Sequence, residues 1–218
     1  MRYLIGSASL PSFEKIQARI PDCGMLLQPK SWRKPHGVYA CDNGVYAAWI
    51  KGRGWDQQMH NDYLRMLAKI SRDNLPLWVL LPDAVANWHR TVELARIYLP
   101  IIRQAGLAVA IALQDGCSFE QALEFTPECA FVAGSDRWKE DNVAPACSFF
   151  RPKGISVHVG RVNTRRRLII CQIAGADSVD GTSLNRWRNA NLALIANTLR
   201  QRCLNLIRLT TKGSNELK

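Results

Sequence analysis

Eight short apolar runs recur along the chain: "YLIGSA" (3–8), "GMLL" (24–27), "VYACD" (38–42), "LWVLLPD" (77–83), "VAIALQD" (109–115), "CAFVAG" (129–134), "ISVHVG" (155–160) and "DSVDGT" (177–182). Most are continuous rather than alternating, which is how strands buried on both faces of a parallel sheet read. Between them the apolar spacing changes to that of a helix. "ANWHRTVELARIYLPIIRQAG" sets Val92, Ala95, Leu99 and Ile102 on one face, with Pro100 expected to kink the helix or end a turn of it. "WDQQMHNDYLRMLAKISRDN" repeats Tyr63, Met66, Leu67 and Ile70, and "RVNTRRRLIICQIAGAD" and "NRWRNANLALIANTLRQRC" predict two more helices. The segment 118–124 has room for only a short one. Strands alternating with helices predict an α/β fold with right-handed crossovers. Eight units point to a compact, closed (β/α)8 TIM-like barrel, trimmed relative to the usual length of about 250 residues. The alternative is an open doubly wound sheet, but neither a dinucleotide fingerprint nor a Walker loop supports it. The reading is one catalytic domain over 1–210 followed by a polar tail, 211–218.

Composition sharpens this picture. The chain has 218 residues, 47% of them hydrophobic, enough for a substantial core. No apolar run approaches the roughly 18 residues needed to cross a bilayer, and the N-terminus does not read as a signal peptide. Seven cysteines without a CxC or CxxC spacing give no zinc signature, and reduced, mostly buried thiols in a cytoplasmic protein are expected. The net charge of +11 makes nucleic acid the default polyanionic partner. Arg161, Arg165, Arg166 and Arg167 cluster, and Arg186 and Arg188 follow; the planar guanidinium fork suits phosphate.

Polar residues close most of the apolar runs: Asp42, Asp83, Gln114 with Asp115, Gly134, His158 with Gly160, and Asp180. In a barrel these strand ends meet on one face, where active sites sit. A single acid after a strand also serves as a helix cap. Several together make an acidic bowl in a basic protein, suited to a nucleobase edge and to acid–base chemistry. His158 reads either as a pocket residue touching sugar or base, or as a hydrogen-bonded core histidine. Trp32, Trp138 and Trp187 offer stacking surfaces or packing.

Five motifs, "ACDNGVY" (40–46), "LLPDAV" (80–85), "ALQDG" (112–116), "FVAGSDRWKE" (131–140) and "HVGRVNTRRRLIICQIAGADSVDGTS" (158–183), resemble the guanine transglycosylase superfamily, best known as tRNA-guanine transglycosylases. The similarity is greatest to the short, phage-associated 7-deazaguanine DNA transglycosylases. It runs in family order over roughly residues 38–188, and the last motif is the most specific. The resemblance implies a (β/α)8 barrel that exchanges guanine for a 7-deazaguanine base in DNA without breaking the backbone. It implies Asp180 as the nucleophile that forms a covalent glycosyl-enzyme, Asp42 as general acid–base, and Asp177 in a structural role. Asp83 and Gln114 would recognise the base, with Gly134, Asn43 and His158 among the substrate-binding residues.

A carboxylate at Asp83 matches the donors at guanine N1 and N2. A carboxylate nucleophile suits an oxocarbenium-like centre, and two displacements preserve the anomeric configuration. The target base must be flipped out or single-stranded. Gly181 and Thr182 would leave room for a ribose beside Asp180, and Arg161, Arg165, Arg166, Arg167, Arg186 and Arg188 would grip flanking phosphates. No cofactor and no metal are implied. The zinc-binding Cys/His cluster of the tRNA enzymes is missing, and the chain is much shorter than theirs. DNA is therefore the expected partner with tRNA the alternative, in the cytoplasm, which is the host's if the protein is phage-encoded. The competing readings are a nucleoside or nucleotide N-glycosidase and a non-catalytic nucleic-acid-binding barrel.

Overall fold

The structure is a computed structural model that describes residues 1–6, 9–181 and 195–198. Eight strands form in chain order: β1 (Arg2–Gly6), β2 (Cys23–Leu27), β3 (Tyr39–Cys41), β4 (Val79–Leu80), β5 (Val109–Leu113), β6 (Cys129–Val132), β7 (Ser156–Val159) and β8 (Ser178–Asp180). Every neighbouring pair is parallel, and β1 pairs with β8 (Leu4 opposite Asp180), so the sheet closes. The open-sheet alternative is thereby excluded. Each strand falls within or against one of the eight apolar runs.

Seven helices connect them: α1 (Leu10–Gln17), α2 (Val45–Trp49), α3 (Gln57–Leu67), α4 (Trp88–Gln104), α5 (Phe119–Leu123), α6 (Asp136–Phe150) and α7 (Arg165–Ala174). The barrel is shortened between β2 and β3, where a 3-10 turn (Pro29–Ser31) replaces a helix. Five helices start on a side chain that accepts a backbone N–H of the first turn: Asp56, Asn87, Ser118, Ser135 and Thr164. Helix α4 continues through Pro100 and buries Val92, Ala95 and Ile102 on the expected face. Burial along the whole helix, from Trp88 to Ile102, outweighs the local loss of one N–H donor. Helix α6 also runs through a proline, Pro145, and has no strong apolar periodicity to announce it. The polar tail lies outside the described residues.

Period-2 alternation sorts strand side chains into two layers. Leu4, Leu26, Ala40, Trp78, Leu80, Ala110, Ala112, Cys129 and Phe131 form one cluster inside the barrel. Their alternating neighbours, such as Ile5, Met25, Cys41, Val79, Ile111, Val132 and Val179, pack outward under the helices. The interior is narrow, so small residues face Trp78 and Phe131, whose rings meet edge to face at 5.6 Å. Gly24 marks the tightest point: a Cβ there would lie 2.8 Å from the Val38 carbonyl oxygen and 2.9 Å from Leu4.

Candidate active site

The inward register that fills the barrel also aims polar side chains at its C-terminal mouth. Two residues after Leu26 comes Gln28, two after Ala40 comes Asp42, and two after Ala112 comes Gln114. On β7 and β8 the inward face carries His158 and Ser178 one layer deeper, level with Phe131, and Asp180 two residues after Ser178. Asp83 arrives differently. β4 ends at Leu80, and Pro82 turns the chain so that Asp83 enters from the loop.

Asp83 is buried and at the centre of a fixed polar network. Its Oδ1 accepts from Asn43 Nδ2 at 2.6 Å, and its Oδ2 accepts from Gln114 Nε2. Neither amide is free to turn over. Asn43 Oδ1 is taken by the Val45 N–H, while Gln114 Oε1 accepts from the N–H groups of Ala86 and Gly134. Two donors therefore face Asp83 and specify an acceptor-only group. Burial pushes its carboxyl up to about 7, against those two hydrogen bonds, and the charge of Asp42 adds to the rise. A carboxylate has about four acceptor sites, so two remain for a ligand's donors.

Asp42 stands at the end of β3, partly accessible. Its Oδ2 accepts from Gln28 Nε2 at 2.7 Å and its Oδ1 from the Gly44 N–H at 3.1 Å. Desolvation raises its carboxyl above the ordinary range, the Gly44 N–H opposes that, and the nearby charge of Asp180 raises it further. Asp42 and Asp180 are thus electrostatic neighbours across the mouth.

Asp180 is held by β7 and the loop after it. His158 Nε2 lies 3.0 Å from Oδ2, and the Arg161 backbone N–H donates to Oδ1 at 3.2 Å. His158 is fully buried; its Nδ1 meets Ser178 Oγ at 2.8 Å, and its ring is packed between Trp78 and Phe131. The expectation that His158 touches substrate is corrected: enclosed on all sides, it orients Asp180. Arg161 adopts a left-handed backbone (φ 58°) and folds across the mouth. Its Nη2 donates to the Gly134 carbonyl at 2.7 Å, and its guanidinium lies 4.0 Å over the Tyr46 ring.

Gly134 is needed for closeness. Its φ is +52°, and a Cβ would lie 2.6 Å from the Trp138 ring and 2.9 Å from Asp115. Both of its backbone polar groups are engaged within the protein, by Gln114 and Arg161. Gly181 does not leave space for a ribose. A Cβ there would meet Tyr3 Oη at 2.6 Å and the Val162 carbonyl at 2.7 Å, so its smallness serves packing.

Other sequence candidates lie elsewhere. Asp177 is at the opposite end of the barrel, accepting from the Val157 N–H at 2.9 Å and pairing with Arg151. Asp115 binds the N–H and hydroxyl of Ser135 and so ties β5 to the start of α6. Arg167 pairs with Glu140 and Asp136, and Arg166 with Glu140, which clamps α7 to α6. Arg165 is exposed at the start of α7. Trp138 and Trp32 pack against the core. Arg186, Arg188, Trp187 and Thr182 lie outside the described residues.

Sequence reasoning missed Gln28, Tyr46, Ser178 and Lys139. Gln28 follows an apolar run as Gln114 does, and Ser178 shares the face of Asp180 by period 2, so both carried a signal. Lys139 did not. It reaches from α6 to the Gly160 carbonyl (3.0 Å) and Asp136 (3.2 Å), and burial, aided by Arg161, lowers its basicity. Among the described residues, no group of three or more His, Cys, Asp or Glu side chains is arranged to hold a metal. No described helix is long and apolar enough to cross a membrane.

No protein-family profile matches the chain, and no curated protein does. Solved structures do. The YdjI aldolase from Escherichia coli K12 aligns with a TM-score of 0.52 at 10% identity, over 95% of this chain and 90% of that one. A structure described as native KDPGal aligns with a TM-score of 0.51 at 12% identity, over 92% and 94%. A cube-shaped, porous cage designed by fusing symmetric oligomeric domains aligns with a TM-score of 0.54 at 13% identity, over 99% and 78%. At these identities the likeness is one of fold, and it agrees with the closed (β/α)8 barrel.

Proposed function

We propose that this protein is a base-exchanging transglycosylase that replaces guanine in DNA with a 7-deazaguanine base. The observation that carries the reading is the pairing of two differently held carboxyls. Asp42 is pushed toward its acid form, and Asp180 beside it is oriented by a buried histidine and a backbone N–H. Two carboxyls at one mouth, one held by Gln28 and a backbone N–H and the other by His158 and a backbone N–H, can divide acid–base and nucleophilic work. Asp83, held rigidly by the Asn43 and Gln114 amides, adds an acceptor of the kind that guanine N1 and N2 require.

In the first half-reaction an Asp180 carboxylate oxygen attacks C1′. The glycosidic bond to N9 breaks, its electron pair leaves with the base, and protonated Asp42 supplies the proton. In the second, Asp42 takes the proton from N9 of the incoming 7-deazaguanine, N9 attacks C1′, and Asp180 leaves as carboxylate. No phosphodiester bond changes, and no cofactor is needed.

At 10% identity the likeness to an aldolase is one of fold and carries no mechanism to this chain.

The test is to incubate the protein with a guanine-containing deoxyoligonucleotide and a slow second base, then map any covalent adduct by peptide mass spectrometry. An adduct on Asp180 is expected. An adduct on Asp42 or Asp177, or base release to water alone, overturns the assignment. A tRNA arm run alongside decides between the two nucleic acids.

A further inference from the structure

The arginines of α7 stand out in the sequence, yet Arg166 and Arg167 are paired with α6 and Arg161 is folded over Tyr46. Of the α7 arginines only Arg165 stands open without an ion pair to a described carboxylate, and several open cations beside the mouth come from other elements. Lys30, in the turn after β2, and Lys51 and Arg53, after α2, line one groove together with Gln28, Asn43 and Gly44. Its cavity is about 140 Å3. Lys30 and Lys51 form no ion pair with a described carboxylate, and Arg53 approaches Asp56 only to 3.9 Å. Asp62, the one acid in the wall, is already engaged by Arg65 and Gln58. The groove shares a wall with the catalytic mouth, because Gln28 and Asn43 are the side chains that bond Asp42 and Asp83.

Helix α2 supplies the second component. Trp49 stacks on Tyr46 with ring centroids 5.7 Å apart and planes 28° from parallel, and is still 46% exposed. An open aromatic face together with exposed, loosely paired cations is the combination that holds a single strand: rings take bases, cations track phosphates.

We propose that α2 and the turn after β2, rather than α7, form the docking strip for the DNA strand that carries the target nucleotide. A flanking base stacks on Trp49, and its phosphate enters the groove of Lys30, Lys51 and Arg53. The inference takes its substrate class from the function proposed above and assigns the strand's path.

The test is fluorescence anisotropy of a labelled single-stranded deoxyoligonucleotide on the full chain over a range of salt. The triple variant Lys30→Gln, Lys51→Gln, Arg53→Gln should lower the slope of log K against log salt by about two, at about 0.7 for each phosphate no longer neutralised. Trp49→Ala should weaken binding about tenfold at fixed salt. Arg165→Gln with Arg166→Gln should leave the slope in place. A slope that falls in the α7 variant and not in the groove variant overturns the strip, as does equal affinity in Trp49→Ala. Matching thermal melts exclude misfolding as the cause. Calorimetry with free guanine separates the two proposals. Groove variants that keep guanine but lose the strand support the strip. A wild type that binds the strand through these residues but neither binds nor exchanges guanine overturns the enzymatic reading alone. A ribo-oligonucleotide preferred through the same residues overturns the assignment to DNA.

Discussion

Asp83 carries the clearest pH signature. Its folded value, about 7, stands above that of an unfolded aspartate, near 4. The folded state therefore holds a proton that the unfolded state has lost. The associated stabilisation is fully present below about pH 4 and disappears as pH rises to about 7. Asp83→Asn cannot titrate, so the Tm difference between wild type and variant should change between pH 4 and 7 and level off above; melts across that range check it. The variant also turns an amide donor toward Asn43 or Gln114, which should cost about 1–3 kcal/mol. Base affinity runs the other way. Only the carboxylate accepts both guanine donors, so guanine binding by wild type should rise as pH passes about 7, and Asp83→Asn should bind weakly at every pH. For Asp180→Asn the expected outcome is loss of base exchange with strand binding and fold retained: the amide oxygen still accepts from the Arg161 N–H and the NH2 can donate to His158 Nε2 in its other tautomer, but the amide cannot form the glycosyl ester. Robust turnover by that variant removes Asp180 as nucleophile.

At the scale of elements, the two ends of β8 do different work. Asp177, at its start, fastens β8 to β7 through the Val157 N–H and to Arg151, and is more than a third exposed. Asp177→Asn should therefore cost about 1 kcal/mol of stability and leave turnover unchanged, read by denaturant melts alongside the exchange assay. The loop after β7 should be far more sensitive for function. A methyl on Gly160 would lie 2.6 Å from the Phe131 ring, which packs on His158, which in turn orients Asp180. Gly160→Ala should lower kcat at least tenfold with little change in strand affinity. Equal kcat would mean that His158 tolerates displacement.

For the whole molecule, barrel closure buries five of the six described thiols and partly covers the sixth, Cys117. Desolvation pushes Cys23 and Cys147 up to about 11 and Cys117, Cys129 and Cys171 up to about 12, and raises Cys41 as well. Since the thiolate is the reactive form, these cysteines should react slowly with a thiol reagent at pH 8 and rapidly once guanidinium opens the barrel. Fast labelling of Cys117, the most accessible of them, would show that the β5–α5 turn opens readily. Chelator treatment should leave both Tm and activity unchanged, and stoichiometric zinc in purified protein would contradict this.

The amino-acid sequence by itself determined the strands, their order and the barrel face on which polar side chains gather. Those follow from local patterns: apolar runs of strand length, helical spacing between them, and a period of two that carries inward polarity past the ends of "VYAC", "VAIAL" and "ISVHV". Even Asp83 could be located, although the strand expected to reach it stops at Leu80. What each polar side chain touches was decided only by the tertiary structure. His158 became an orienting group because Trp78, Phe131 and Ser178, from three separate parts of the chain, enclose it. Arg166 and Arg167 turned to α6 because Glu140 and Asp136 lie within reach across a helix–helix contact. Gly181 proved to be a packing glycine because Tyr3, at the far end of the chain, closes the barrel against it. Burial and charge pairing depend on distances between residues remote in sequence, and a one-dimensional pattern does not carry them.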